Sequence, residues 1–238
     1  MTFLQLVQRL ALESGITSAS ASVGSVLNQT GMAARFVNWI ISAHNEIQNR
    51  HQNWRWLRST WTVNTTASDD SYSYSDCTDS RLSSTISRFA RWIPFDDEGG
   101  CNIKRYLTSG GVGGESWMVF LPWSYWQAIY RRGTQNNGPI IHVTISPQNL
   151  IMTGPKPDGI YTMSGEYMMS AKVFAADADE PEFPSRFHDL IWLQALEKYG
   201  RFAAAGEALA RSQVEGRRVL RQLEADQLPQ VMLAAPLA

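Results

Sequence analysis

Two histidines on one predicted helix are the first residues whose type and spacing could bind a metal. His44 and His51 flank Glu46, but the helical zinc motif needs its two histidines four residues apart so that both reach one ion. Here the spacing is seven residues, which places the imidazoles two helical turns apart. We interpret both histidines as structural and expect no metal ion or other cofactor.

Two other pairs contain a histidine that could act on a nucleophile. His188-Asp189 could orient a serine, but the chain has no small-x-Ser-x-small turn, and adjacent residues on a helix point in different directions. Cys101 and His142 could form a thiol–imidazole pair, yet no local signature supports one. With Cys77, Cys101 is one of two cysteines, and we expect both to be free thiols in a reducing cytoplasm. No catalytic residue is predicted.

Paired carboxylates occur at Asp69-Asp70 and at Asp96-Asp97-Glu98. Both groups lie in turn-like sequence beside Ser or Gly, where solvated loops are the better interpretation. A glycosidase pair needs two carboxyl groups at a defined separation, which sequence alone does not test. A hydrolase that acts on carbohydrate or cell wall, through carboxylates of this middle region, therefore stays open as an alternative function.

The glycine-rich stretch Gly110–Gly114 could cradle a phosphate group. Such a loop needs a lysine and a hydroxyl residue directly after its last glycine. Here Glu115 follows, which would repel phosphate, and Trp117–Leu121 resembles a strand. The pattern predicts a hairpin loop.

Tryptophan and arginine alternate in Trp54-Arg55-Trp56-Leu57-Arg58, and Trp61 follows closely. Such residues could stack on bases and contact phosphates. However, the net charge of the chain is −1, which gives no electrostatic basis for tight nucleic-acid binding. We favour the interpretation that Trp54, Trp56 and Trp61 pack at a subunit contact or at the junction between helices and strands.

Helical periodicity dominates the first part of the chain. Thr2 is predicted to cap a helix that runs to Ser14 and stops at Gly15, and Thr30 to cap a second helix over Met32–Gln52. The first residues have apolar side chains at helical spacing rather than a basic start and a continuous apolar run, so we do not predict a signal peptide. No stretch approaches the length needed to span a membrane.

Alternating apolar and polar residues indicate strands in the middle of the chain. Asp69-Asp70 is predicted to form the turn between the first two strands. One short helix, Pro122–Arg132, interrupts the strands. The predicted strands are Trp61–Val63, Tyr72–Tyr74, Ile86–Ile93, Ile140–Ile145, Leu150–Met152 and Tyr161–Met169.

Helical spacing returns at Pro184 or Ser185 and continues to Gly200, and a second helix is predicted over Phe202–Asp226. The predicted fold class is α+β: a helical bundle formed by N- and C-terminal helices, with an inserted antiparallel β-rich module. The predicted domains are residues 1–58 with 184–227 for the bundle and residues 59–183 for the module.

The last predicted segment is an extended C-terminal docking tail over residues 228–238. It has no charged residue and two prolines, and it follows a strongly polar helix. An apolar terminus too short to build its own core is expected to dock on another surface. Its anchors are predicted to be Leu228, Val231, Met232, Leu233 and Leu237.

Framework segments along most of the chain resemble the head-to-tail adaptor (connector, head-completion) proteins of tailed bacteriophages. The likeness is weakest over Ser68–Gly114. The segments that carry it are TFLQLVQRLALESGI, Gly31–Trp39 with the run WIISAHNEIQ, His51–Arg58, Pro155–Gly159 with Tyr161–Tyr167, Pro181–His188 and Leu223–Pro229.

The resemblance implies a structural virion protein rather than an enzyme. Such adaptors form a ring, typically of twelve copies, between the capsid portal protein and a downstream tail or nozzle protein, and the ring extends the DNA channel. The helix Phe202–Asp226 and the tail would then contact the portal, while the β module would face neighbouring copies or the tail. DNA would pass without specific binding, no membrane is involved, and synthesis takes place in the host cytoplasm.

Overall fold

The computed structural model of the chain describes residues 1–16 and 23–229. These residues form two units: one comprises the described parts of Met1–Leu57 and Ala171–Ala238, and the other comprises Arg58–Ser170. The first is built from helices of both chain ends and the second mainly from strands. The predicted α+β class, with terminal helices and a central β-rich module, is confirmed.

The described residues form five α-helices and eleven strands. The helices are α1 (Phe3–Glu13), α2 (Gly31–Asn49), α3 (Trp123–Tyr130), α4 (Asp189–Phe202) and α5 (Gly206–Gln227). The strands are β1 (Arg58–Asn64), β2 (Ser71–Tyr72), β3 (Thr78–Asp79), β4 (Ser84–Thr85), β5 (Arg91–Ile93), β6 (Lys104–Leu107), β7 (Ser116–Trp117), β8 (Val119–Phe120), β9 (His142–Ile145), β10 (Ile151–Gly154) and β11 (Tyr161–Met168).

Helix α1 begins where its capping sequence predicts. The Thr2 hydroxyl accepts a hydrogen bond from the Gln5 backbone N–H at 3.3 Å, and the Gln5 side chain accepts one from the Thr2 backbone N–H at 2.9 Å. This reciprocal pair satisfies two donors that a helix start leaves open. Thr30 also lies at the start of its helix, but its side chain makes no capping hydrogen bond. Helix α2 ends at Asn49, three residues before the predicted end at Gln52.

The core of the helical unit consists of the apolar faces of α1, α2 and α4. Leu6, Leu10, Phe36, Ile40 and Leu190 are completely buried there. Full burial of one such side chain contributes about 1.5–3 kcal/mol to stability. Burial of these side chains therefore stabilises the helical unit.

Gly200 does not end a helix, contrary to the sequence prediction. It lies within α4, and a Cβ atom built on it would be 3.0 Å from both the Cβ atom and the backbone nitrogen of Leu209 in α5. The absence of a side chain lets the two helices approach closely. The glycine therefore allows this close contact between α4 and α5, and α4 continues to Phe202.

The sheet unit contains a seven-stranded and a four-stranded sheet. The larger has the order β4-β3-β1-β11-β6-β7, with β5 also paired to β11, and the smaller has the order β2-β10-β9-β8. All pairs of named strands are antiparallel except β8 with β9. Asp69-Asp70 lies in the connection between β1 and β2, as predicted, but these two strands do not pair with each other. β1 pairs with β11 and β3, and β2 with β10.

Strand β11 holds the larger sheet together, because it pairs with β1, β5 and β6. Gly165 of β11 lies opposite Trp61 of β1, and a Cβ atom there would lie 3.0 Å from the Trp61 ring. Trp61 is completely buried and meets Trp92 edge to face at a centroid distance of 5.3 Å. The core of this unit is thus centred on indole rings, which supply a large apolar area per residue.

The glycine-rich stretch forms the predicted hairpin loop. Two short 3₁₀ turns, Thr108–Gly110 and Val112–Gly114, connect β6 to β7, and these strands pair antiparallel. Glu115 pairs with Lys104 across the hairpin at 3.3 Å. The acidic residue thus has a partner in the hairpin itself.

Candidate functional site

The four histidines of the chain are held in structural contacts. His188 is buried; its Nε2 donates to the Phe183 carbonyl at 3.0 Å, and its Nδ1 lies 2.8 Å from the Met1 amine. Burial lowers the pKa of His188 below its usual range, which favours the neutral ring. The neighbouring Asp189 accepts a hydrogen bond from Trp192 at 2.8 Å. His188 and Asp189 therefore have separate partners and do not form a catalytic pair.

His44 and His51 lie in different surroundings, as their spacing predicts. The His44 ring stacks on Phe174 at a centroid distance of 3.9 Å, whereas His51 Nε2 lies 2.9 Å from a Glu224 carboxylate oxygen. Within residues 1–16 and 23–229, no group of three or more His, Cys, Asp or Glu side chains could hold a metal ion.

The carboxylates of the middle region have structural partners, either in their own turn or on an arginine. Asp96 accepts hydrogen bonds from the backbone N–H groups of Glu98 at 3.0 Å and Gly100 at 2.7 Å. Asp97 lies 3.7 Å from Arg58 and is 80% exposed. Such contacts stabilise a solvated turn. They give no sign of the paired acid and base that a glycosidase needs.

Both cysteines are free, as the sequence predicts. Burial raises the pKa of the Cys77 thiol to about 12 and also raises that of Cys101. A raised pKa disfavours the thiolate that acts as a nucleophile. His142 Nδ1 lies 2.6 Å from the Tyr130 hydroxyl, and the Cys101 sulfur faces the Ile103 carbonyl at 3.9 Å. The structure therefore does not support a thiol–imidazole pair of Cys101 and His142.

Sequence reasoning missed a buried carboxylate at Asp79, which is only 1% exposed. It accepts hydrogen bonds from the hydroxyls of Ser59 and Tyr167 and from the backbone N–H groups of Arg81 and Leu82. Burial alone would raise its pKa, but these hydrogen bonds lower it below the usual range. Since Ser59 and Tyr167 lie far from Asp79 in the sequence, no local pattern could reveal the cluster. This buried cluster around Asp79 connects β1, β3 and β11.

Charged contacts fasten the C-terminal end of α5 to the helical unit. The Glu224 carboxylate accepts hydrogen bonds from Arg50 Nε at 3.1 Å and from His51 Nε2 at 2.9 Å. Asp226 pairs with Arg186, which lies on the 3₁₀ turn before α4. Each pair is half-exposed and weak alone. Together they hold the last turn of α5 at a fixed place on this unit.

The chain leaves α5 at Leu228 in an extended conformation. The Leu228 backbone N–H still donates to the Glu224 carbonyl at 3.0 Å, but its dihedral angles, φ −92° and ψ 150°, are those of an extended residue. Its side chain is half-buried. The fastened helix end is therefore the point from which the apolar C-terminal sequence starts.

Comparison with known protein families matches residues 1–236 to the SU10 adaptor protein family. The chain belongs to the SU10 adaptor protein family. Because the match covers nearly the entire chain, it includes the helices of both ends, the sheet unit and most of the C-terminal segment. No curated protein matches the chain.

Membership in the SU10 adaptor protein family confirms the bacteriophage adaptor resemblance of the sequence. It makes the chain a structural adaptor and virion component, and it favours a non-enzymatic role. In the described part of the chain, no helix is both long and apolar enough to cross a membrane.

The predicted docking residues of this adaptor are only partly described. Leu228 lies at the end of α5, whereas Val231, Met232, Leu233 and Leu237 lie outside the described residues. The predicted packing tryptophans are all described. Trp54 and Trp56 stack at a centroid distance of 4.3 Å in the helical unit, where Trp56 also meets Phe183.

Trp61 belongs to the sheet unit and packs there against Trp92. All three predicted tryptophans are buried, so none presents a free ring to a base. Nucleic-acid binding by the Trp54–Arg58 stretch would need accessible rings for base stacking, and these buried tryptophans do not provide them. The tryptophans stabilise the two units from within.

Proposed function

We propose that this adaptor forms a ring at the head–tail junction of a virion, where it joins the capsid portal protein to a downstream tail or nozzle protein. Membership in the SU10 adaptor protein family over residues 1–236 carries the proposal. The ring would hold typically twelve copies and extend the channel through which DNA passes. The net charge of −1 suits a conduit along which DNA slides without being held.

We further propose that the C-terminal tail docks on the portal. Its start is fastened through Glu224 and Asp226 to the helical unit, so that each copy presents the tail from an equivalent place. Residues 228–238 carry no charge, and their Leu, Val and Met side chains would gain free energy by entering apolar pockets of a partner.

Pull-down and negative-stain electron microscopy with portal rings of the same phage test this proposal. We expect the full-length protein to stack on the portal as a ring, and the triple variant V231S/L233S/L237S to keep its fold but to lose at least tenfold in portal affinity. The matched control is Leu82→Ser, which removes an exposed leucine (58% exposed) from the sheet unit. A triple variant that binds portal rings as tightly as the control would contradict the docking role of the tail.

A further inference from the structure

The outward face of α5 carries a basic patch, defined here as Arg217, Arg218 and Arg221. All three arginines are exposed. One turn before them, Val214 is 73% exposed. The buried face of the same helix consists of Ser212, Gly216, Leu220 and Leu223. The patch therefore points away from the core of the helical unit.

The other charges near this patch already have partners. Arg211 pairs with Glu13 at 2.8 Å and with Glu215 at 3.1 Å, and the acidic residues of the last turn pair with Arg50, His51 and Arg186. The three arginines of the basic patch make no ion pair with any described residue. Arginine is enriched at protein–protein interfaces, and the exposed Val214 adds apolar surface beside the patch.

The same helical unit carries an acidic segment, defined here as residues 177–182 with the sequence DADEPE. Asp177 accepts a hydrogen bond from the Val26 backbone at 2.6 Å, and Asp179 accepts bonds from the Ala175 and Ala176 backbones. These backbone bonds lower the pKa of Asp179 and shape the segment. Glu180 is exposed, and a nearby cation, Lys172, donates to its backbone carbonyl at 3.1 Å.

We propose that the basic patch of one copy binds the acidic segment of the next copy, an inference that rests on the proposed ring. Both surfaces lie on one compact unit, so its core fixes their separation. Two different surfaces that recognise each other form a heterologous contact, which closes into a ring when the rotation fits. Opposite charges would set the orientation of the copies, and Val214 would add apolar contact.

Two charge variants test this contact. In the first, R217E/R218E/R221E, the patch becomes acidic. In the second, A178K/E180K, two lysines occupy the exposed positions of the segment and its formal charge changes from −4 to −1, while the structural Asp177 and Asp179 remain. All five positions are exposed, so both variants are expected to keep the thermal stability of the wild type. The first variant alone would set like charges against each other at every contact, and the second would place two lysines against the arginines of the basic patch. We expect each to lose ring formation at least tenfold, measured by sedimentation velocity and negative stain at about 0.15 M salt.

A mixture of the two variants gives the decisive result. In an alternating ring every acidic patch meets a segment that carries the two lysines, and every basic patch meets an acidic segment, so we expect the mixture to form rings again. Glu98→Lys, an exposed charge change in the sheet unit, is the matched control and should assemble like the wild type.

Three outcomes would overturn the inference while leaving the proposed function intact. They are rings formed by either variant alone at the wild-type concentration, a mixture that does not assemble, and intact rings of the arginine variant that lose only DNA binding. By contrast, a wild-type protein that forms no ring, alone or on portal, would refute the proposed function itself.

Discussion

Asp79 connects three parts of the larger sheet through hydrogen bonds. Its carboxylate is only 1% exposed and accepts bonds from β1, from β11 and from the turn after β3. Replacement by asparagine keeps the shape but removes the charge and places an N–H₂ group against hydroxyl donors. We expect Asp79→Asn to lower the free energy of unfolding by about 1–3 kcal/mol. Urea unfolding at pH 7 measures this loss.

The pH dependence of that loss identifies the charge as its cause. The pKa of Asp79 is lowered in the folded chain, so the ionised carboxylate stabilises the fold above about pH 4, the unfolded-state value. This contribution disappears as the pH falls through the folded-state pKa. The gap between wild type and D79N should therefore shrink in acid. Asp97→Asn, at an 80% exposed carboxylate of the same unit, should have no effect at either pH; an equal loss in both variants would refute the assignment.

At the scale of elements, two glycines of the α4–α5 interface predict opposite effects of the same substitution. A Cβ atom at Gly200 would lie 3.0 Å from the backbone nitrogen of Leu209, which cannot move without shifting α5. The added methyl group should destabilise the fold by about 1–3 kcal/mol through overpacking. This loss should exceed the gain in helix propensity, which is about 1 kcal/mol. We expect Gly200→Ala to lower the midpoint of thermal unfolding.

Gly216→Ala is the matched control for that interface. Its Cβ atom would meet only Leu193, at an ordinary contact distance of 3.9 Å, so the gain in helix propensity should remain and raise the unfolding midpoint. Differential scanning calorimetry of the two single variants distinguishes the effects. Equal shifts in the same direction would show that packing between α4 and α5 does not decide the outcome.

Elements that depend on local signals could be predicted from the sequence, whereas features that depend on packing between distant segments could not. Helix α1 follows from local signals, since its cap, its apolar spacing and Gly15 all lie within one short stretch. Gly200 looks like a stop signal by the same rules, and only the approach of α5 reveals its actual role. The connection around Asp69-Asp70 follows from local sequence, but the strand partners do not: β1 pairs with β11, about a hundred residues later.

At the scale of the molecule, the sequence predicts the apolar composition of the C-terminal tail but not the contacts that hold its start in place. An uncharged apolar tail after a polar helix is visible in the sequence. The contacts that fasten its start, Glu224 with Arg50 and His51 and Asp226 with Arg186, join residues far apart in the chain. Such pairs depend on the packing of α2, α4 and α5, which periodicity alone does not specify.

The two-unit organisation leads to a final prediction, that residues 58–170 fold when expressed alone. The ends of this unit are close together, because Arg58 of β1 lies opposite Met168 of β11 in the antiparallel register. Trp61, Trp92 and Tyr167 are buried and in ring contact within the unit. A unit with adjacent ends and its own core should fold independently.

We expect the fragment to unfold cooperatively on heating, followed by near-ultraviolet circular dichroism of its packed indole rings. The matched variant is Gly165→Val in the fragment, where a Cβ atom would lie 3.0 Å from the Trp61 ring. Because the bulkier side chain separates β11 from the core of the unit, this variant should lose the transition. A fragment without a cooperative transition would mean that the sheet unit depends on the helical unit for its stability, and that the adaptor folds as a single cooperative body.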